Sequence, residues 1–398
     1  MKKTLLLQTA LVAAAGLFVA DIANAQTKEV PLGLSVGGYY NQLLQWQDRS
    51  PNGGQSDHGI KQDSEIHFNF RGVLAGGTVI GGRVELESGT YGDQVDEVYM
   101  FVEHTEFGRA EIGSMDSVTT KMIYAAPNSL PNYSTTVHSE YSAVNNYGAA
   151  MRFVNNMDDS HRINLYSASN RYFGSKAGKG LQVGVNYTPD NCQDLTSASG
   201  TSNTTAATAG GLGCSGGFFS PSTTSALEQQ FNTAANYLES FGAFDVALYA
   251  GYNSVKVIAA GGATSPSGRE SGWQGGATFG YNLGDGSLIQ VGGAYTNEDV
   301  TAVRERKAWS AGARYLTNGA APGSVGIGFE YQDRNESNSL GATTRAGDVE
   351  YWHVGLTYQV AAGILGFVGV GVSDTTDHPT ATSNVDQTFG VVGVNLTF

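Results

Sequence analysis

Ser324-Val325-Gly326-Ile327-Gly328-Phe329-Glu330-Tyr331-Gln332 divides cleanly when read two residues at a time. Val325, Ile327, Phe329 and Tyr331 fall on one parity, and Ser324, Gly326, Gly328, Glu330 and Gln332 on the other. Successive side chains of a β-strand point to opposite faces, so this stretch reads as a strand with one apolar and one polar face. The pattern recurs. In 351–360, Trp352, Val354, Leu356, Tyr358 and Val360 oppose Tyr351, His353, Gly355, Thr357 and Gln359. In 273–283, Trp273, Ala277, Phe279, Tyr281 and Leu283 oppose Gln274, Gly276, Thr278, Gly280 and Asn282. In 181–188, Leu181, Val183, Val185 and Tyr187 oppose Gln182, Gly184, Asn186 and Thr188.

Alternation alone also describes a soluble sandwich, and two further features separate the cases. Tyr237, Tyr281, Tyr315 and Tyr358 precede short turns, while Tyr252, Tyr295 and Tyr331 precede longer loops, so aromatic residues mark both ends of the strands. Tight turns near 75–77, 283–286, 317–323 and 361–363 interleave with longer polar connections. Aromatic girdles and one short-turn rim are features of outer-membrane barrels. Strands are expected near 33–47, 61–74, 77–90, 96–105, 107–114, 161–170, 180–189, 227–240, 243–256, 271–283, 287–297, 306–316, 323–333, 349–360, 363–373 and 387–398. The expected fold is all-β, a transmembrane antiparallel up-and-down barrel of about sixteen strands, closed because lipid cannot satisfy an open edge. The final strand alternates Val392, Val394, Leu396 and Phe398, and an aromatic last residue on such a strand is an outer-membrane insertion signature.

Composition narrows the function classes. Lys2 and Lys3, the apolar run Leu5 to Ala20, and Ala23-Asn24-Ala25 read as an export signal over residues 1–25, leaving 26–398 as the barrel domain. Beyond it no apolar run approaches the ~18–20 residues of a transmembrane helix. The formal charge is -14, and removing the leader makes it one unit more negative, which argues against nucleic acid as a partner. Cys192 and Cys214 bracket a Ser/Thr/Gly-rich stretch inside a long external loop expected over 190–226. In an exported protein such a pair is expected to be bridged, which would contribute about 3 kcal/mol by restricting the unfolded chain.

Three stretches resemble the Gram-negative porin family, particularly its neisserial and alphaproteobacterial branches. They are Ser64-Glu65-Ile66-His67-Phe68-Asn69-Phe70-Arg71-Gly72 with Gly82-Arg83-Val84-Glu85-Leu86-Glu87-Ser88, then Phe107-Gly108-Arg109-Ala110-Glu111-Ile112-Gly113 with Asp116-Ser117, then His161-Arg162-Ile163-Asn164-Leu165-Tyr166 through Leu181 to Tyr187-Thr188-Pro189. The chain departs from the family at Ser114, where Arg is frequent, and at Ala168 and Ser169, where Pro is frequent. The resemblance implies a water-filled channel for ions and small hydrophilic solutes, a homotrimer, outer-membrane lipid and lipopolysaccharide as surroundings, and a loop over 115–160 folded inward as a constriction.

The polar parity supplies the candidate pore residues: Glu65, Arg71, Arg83, Glu85, Arg109, Glu111 and Arg162 on the wall, with Asp116 and Glu140 in the loop. Charges on that parity must face water, because an Arg on the lipid face near the midplane costs about 2–4 kcal/mol. Arg71, Arg83, Arg109 and Arg162 are expected to face acidic groups of the loop. The sign of any ion preference stays open: overall acidity points to cations and the wall arginines to anions. No cofactor or metal is expected. There is no H-E-x-x-H motif, Gly178-Lys179 lacks the residues of a phosphate loop, and His67, His104, His138, His161 and His353 are dispersed. The other readings of the pattern are a substrate-selective channel, a Ser/His barrel hydrolase, and an adhesion protein using the 190–226 loop. The acidic run Asp93 to Glu97 reads as a solvated loop or a cation-attracting one.

Overall fold

Each alternating segment finds its hydrogen-bond partner in the next one along the chain. The strands are β1 (Val30–Ser50), β2 (His58–Val73), β3 (Val79–Ser88), β4 (Val95–His104), β5 (Gly108–Ser114), β6 (His161–Tyr166), β7 (Gly180–Asp190) and β8 (Ala226–Phe241). They continue with β9 (Phe244–Ile258), β10 (Gly268–Asn282), β11 (Leu288–Thr301), β12 (Arg304–Leu316), β13 (Val325–Asn338), β14 (Asp348–Ala361), β15 (Ile364–Thr376) and β16 (Val385–Thr397). Every neighbouring pair is antiparallel, and β1 pairs with β16 to close the barrel. The computed structural model describes residues 29–50, 57–88, 95–127, 130, 151–153, 156–168, 178–190, 226–258, 268–301, 304–318, 321–338, 348–376 and 385–398. The leader over 1–25, Glu140, Cys192 and Cys214, and nearly all of the 190–226 loop lie outside these residues.

Closure runs to the last residue. Gly38 N–H donates to the Phe398 carbonyl at 3.0 Å, and Phe398 N–H donates back at 3.1 Å. Phe398 projects from this seam with its side chain exposed. The sequence-based strands are recovered with two systematic differences. At the long-loop end several strands run further than their apolar alternation, with β13 reaching Asn338 and β12 beginning at Arg304. Above the bilayer a strand needs its ladder but no apolar face. β6 is instead shorter than expected, because its partner β5 begins at Gly108 and pairing stops at Arg109 opposite Tyr166.

The two parities separate as the alternation requires. Val325, Ile327, Phe329, Trp352, Leu356 and Tyr358 are exposed on the outer surface, while Glu330, Gln332, His353 and Thr357 of the same two strands are buried inside. Around the long-loop end Trp273 lies opposite Tyr252, Tyr295 opposite Trp309, and Tyr331 opposite Trp352. Diagonal neighbours among them pack with tilted rings, Trp273–Tyr295 centroids 5.2 Å apart and Trp309–Tyr331 4.9 Å apart. At the short-turn end Tyr281 lies opposite Phe244 with centroids at 4.6 Å. These rings form the two interfacial girdles, amphipathic side chains where apolar lipid meets water.

A charge placed on the outer face should cost far more than one placed inside. Val370→Arg, in the middle of β15, should lower the unfolding free energy of the lipid-folded protein by about 2–4 kcal/mol. Asn69→Arg, on the inner face of β2, should change it much less; denaturant titration in vesicles measures both, and equal losses would contradict the assignment of faces.

Candidate functional site

Between β5 and β6 the chain turns into the barrel. Ser117 caps a single helical turn, α1 (Val118–Lys121), its hydroxyl accepting from Thr120 N–H at 3.2 Å. One turn has no stability of its own, and packing supplies it. Val118 and Met122 are buried against Ala234 and Tyr249, with Tyr166 alongside, and Tyr249 Oη donates to the Thr119 carbonyl at 2.9 Å. The loop continues along the wall. Thr278 Oγ1 of β10 donates to the Ala125 carbonyl at 2.6 Å, and Leu130 is buried with Leu43, Tyr351, Phe367, Phe389 and Val391 at the far side of the lumen. The returning segment is held by Thr296 Oγ1 on the Met151 carbonyl at 3.3 Å and by the Arg306 guanidinium on the Arg152 carbonyl. Arg306 is itself paired with Glu298.

The loop reaches the wall because glycines leave room for it. A Cβ at Gly276 would collide with the Tyr124 carbonyl, and one at Gly292 would stand 2.6 Å from the Ala125 carbonyl. Gly184 meets Met122 and Gly369 meets Leu130 in the same way. Both legs of the loop then meet at Asn156, which is buried. Its Oδ1 accepts from Ser117 Oγ at 3.0 Å, Thr119 Oγ1 at 3.1 Å and Asn232 Nδ2 of β8 at 2.9 Å. Its Nδ2 donates to Thr120 Oγ1 at 2.5 Å and to both Asp158 carboxylate oxygens at 3.0 Å. Sequence reasoning singled out none of these glycines or amides. The glycines share the polar parity with many that face water, and the loop has no periodicity to mark Asn156.

The charged candidates form three neighbourhoods. In the first, Arg83 Nη1 lies 2.7 Å from Glu85 Oε1, and Arg83 Nη2 donates to His67 Nδ1 at 2.7 Å. His67 Nε2 is 2.8 Å from Glu65 Oε2, and Tyr39 Oη donates to Glu65 Oε1 at 2.7 Å. In the second, Arg109 lies 2.7 Å from Glu111 and 3.2 Å from Glu103, over the Phe101 ring at 3.7 Å. Lys121 of the loop joins it, 3.5 Å from both Glu111 and Glu97 and over the Tyr99 ring. In the third, Arg162 is buried, donates to the Met157 carbonyl and lies 3.9 Å from Asp158, which also takes Arg152 at 3.9 Å. Arg71 stands apart, exposed near the turn after β2.

This differs from the expected facing of wall arginines onto loop acids. Among the described residues only Arg162, of these arginines, meets a loop carboxylate. Arg83 and Arg109 bind the carboxylate two residues on along their own strands, the next side chain on the same face. Across the gap the polarity is reversed: a loop lysine sits among wall glutamates. Burial opposes the charge on Lys121, but Glu97 and Glu111 more than offset it and hold it above the ordinary lysine range. Asp116 is pushed up to about 8, first by burial and then by Asp158, against the opposing pull of Arg152.

Among the described residues, two groups bring three ligand-type side-chain atoms within 4.8 Å of one another, Glu65–His67–Glu85 and Glu97–Asp116–Asp159. Arg83 stands within the first, and Lys121 and Arg152 beside the second. Basic side chains thus stand among both groups of carboxylates.

Residues 9–378 match the family model described as Gram-negative porin. A search of curated proteins finds no match. Among solved structures, OmpT of Vibrio cholerae in its trimer form superposes with a TM-score of 0.56 at 14% identity, over 92% of this chain and 99% of that one. The anion-selective porin from Comamonas acidovorans gives 0.54 at 12% identity, over 92% of this chain and 100% of that one. At these identities the structural likeness speaks for the fold alone, whereas the family match covers most of the chain: this protein belongs to the Gram-negative porin family.

Proposed function

We propose that ions and small hydrophilic solutes pass through the lumen between the inward loop and the wall formed by β1 to β5, by diffusion and without saturable binding of one solute. As a Gram-negative porin the chain forms a diffusion channel of the outer membrane. The observation that carries the finer reading is the track of the loop. Its described residues lie against β7 to β12 and, at Leu130, reach β14 to β16 and Leu43 of β1, while Tyr39, Glu65, Arg83, Tyr99 and Arg109 project from β1 to β5. The pore residues on this reading are Glu65, Arg83, Glu85, Arg109, Glu111, Asp116 and Arg162, with Arg71 nearer the short-turn rim and Glu140 in the same loop.

The outer surface supports a reading of the surrounding assembly. β3 to β7 are short, 7 residues in β5 and 6 in β6, and expose Met100 and Ile112 beside a shallow depression of about 240 Å³ lined by Phe70, Val84 and Val98. A homotrimer joined at this face is the reading they support. The remaining outer face meets outer-membrane lipid, with lipopolysaccharide at the long-loop girdle, after export and removal of residues 1–25 near Ala25.

Purified protein in a planar bilayer should give large stepwise conductance, reduced only weakly and without saturation by neutral sugars that enter it. Saturable block by one solute would turn the reading to a selective channel, and a folded protein that conducts nothing would end it. Gly292→Val should force Ala125 off the wall and into the passage, lowering single-channel conductance and costing about 1–3 kcal/mol of stability by overpacking. Unchanged conductance would remove the loop from the path. Light scattering of the detergent-solubilised protein should report a trimer; a monomer mass would overturn the assembly.

A further inference from the structure

We propose that the channel prefers cations, and that Glu65 on the wall with Asp116 and Asp159 at the root of the loop are the carboxylates that set this preference. The inference rests on the diffusion reading above and adds the sign of the ions admitted.

Bases and acids around the passage do not balance. Arg83 is taken by Glu85, Arg109 by Glu111 and Glu103, and Lys121 by Glu97 and Glu111. Among the described residues around the loop root, Asp96, Glu97, Asp116, Asp158 and Asp159 face Lys121, Arg152 and Arg162, five carboxylates to three bases. Asp116 and Asp159 there, and Glu65 on the wall, are only half-buried. Among the described residues, Glu65 is held by Tyr39 Oη and the His67 ring and lies outside the Arg83–Glu85 pair.

The rest of the loop adds no balancing base. Residues 115–160 contain Asp116, Glu140, Asp158 and Asp159 against Lys121 and Arg152 alone. A narrow aqueous path lined by an excess of one sign between low-dielectric walls concentrates the opposite ion, and carboxylate linings favour cations.

Geometry also makes the preference depend on pH. Asp116 and Asp159 face each other together with Asp96 and Glu97 from β4, Lys121, Arg152 and Asp158 from the loop, and Arg162 from β6. Burial first, then neighbouring carboxylates, hold Asp116 up to about 8 and Asp159 well above the usual range. They titrate as a coupled set. Below that range the pair carries protons. As pH rises through it the protons leave, negative charge grows, and cation preference increases.

The test is the zero-current potential of the full-length protein in a planar bilayer under a KCl gradient, well below and well above the pH of about 8 at which Asp116 titrates. The expected result is a potassium-over-chloride preference at both values, stronger at the higher. The double variant Asp116→Asn with Asp159→Asn should conduct, lose the rise with pH, and lower the permeability ratio at high pH by at least about twofold. Should it fail to fold, Glu65→Gln on the rigid wall provides the same reading and should lower the ratio at both pH values. Asp285→Asn on the exposed turn after β10 should leave the ratio unchanged. A conducting channel that prefers chloride, or variants with the parent ratio, would overturn this inference and leave the diffusion reading standing. Folded protein without conductance would overturn both.

Discussion

Hydrocarbon offers no hydrogen bond to a peptide group, and the rest of the structure depends on that one constraint. A strand crossing the bilayer must be paired on both edges, so sixteen strands can persist only if the first meets the last. The seam between β1 and β16 is therefore a full ladder of 12 residue pairs, running from Tyr39 opposite Thr397 to Ser50 opposite Asp386. Phe398 completes it with two backbone bonds to Gly38. Closure in turn creates an inside. One parity of every strand is committed to lipid, and the other becomes the only place where charge can be held.

That inside is too wide to be filled by side chains from the wall, and a second segment enters it. The loop's backbone polar groups then need partners away from bulk water. The wall provides them strand by strand, through Tyr249, Thr278, Thr296 and Arg306 for carbonyl oxygens and Asn186 for the Val118 N–H. Asn156 ties the outgoing and returning legs to each other and to β8. A segment fixed at so many points is part of the frame.

Legibility in the sequence follows the same division. Val325, Ile327 and Phe329 could be assigned an outward direction without any structure because lipid and water impose opposite demands on adjacent residues. Where that contrast ends, so does the information. Past Tyr331 the strand continues to Asn338 with polar residues on both faces, and alternation no longer marks it. The direction in which Arg83 and Arg109 point was legible, but their partners were not, since parity fixes a face and leaves open whether a side chain reaches across the lumen or along its own strand. Gly276 was visible as a polar-parity glycine. That a carbonyl would rest on it depends on the course of a loop whose residues repeat with no period.

The pairing of bases along the wall alters what the passage can do. A row of arginines facing a row of acids across a gap sets up a transverse field that the solute itself must cross. Here Arg83–Glu85 and Arg109–Glu111 close over one or two residues, and fields from such short pairs cancel within a few ångströms. Lys121 reaches from the loop into wall glutamates and cancels further charge at the only described point where the loop presents a lysine to that wall. What projects into the water is the remainder, and around the loop root the remainder is carboxylate. Arg83 and Arg109, which dominate a reading of the wall by residue type, are thus neutralised where they stand, and on the proposed reading the ion preference falls to the carboxylates in excess of the bases.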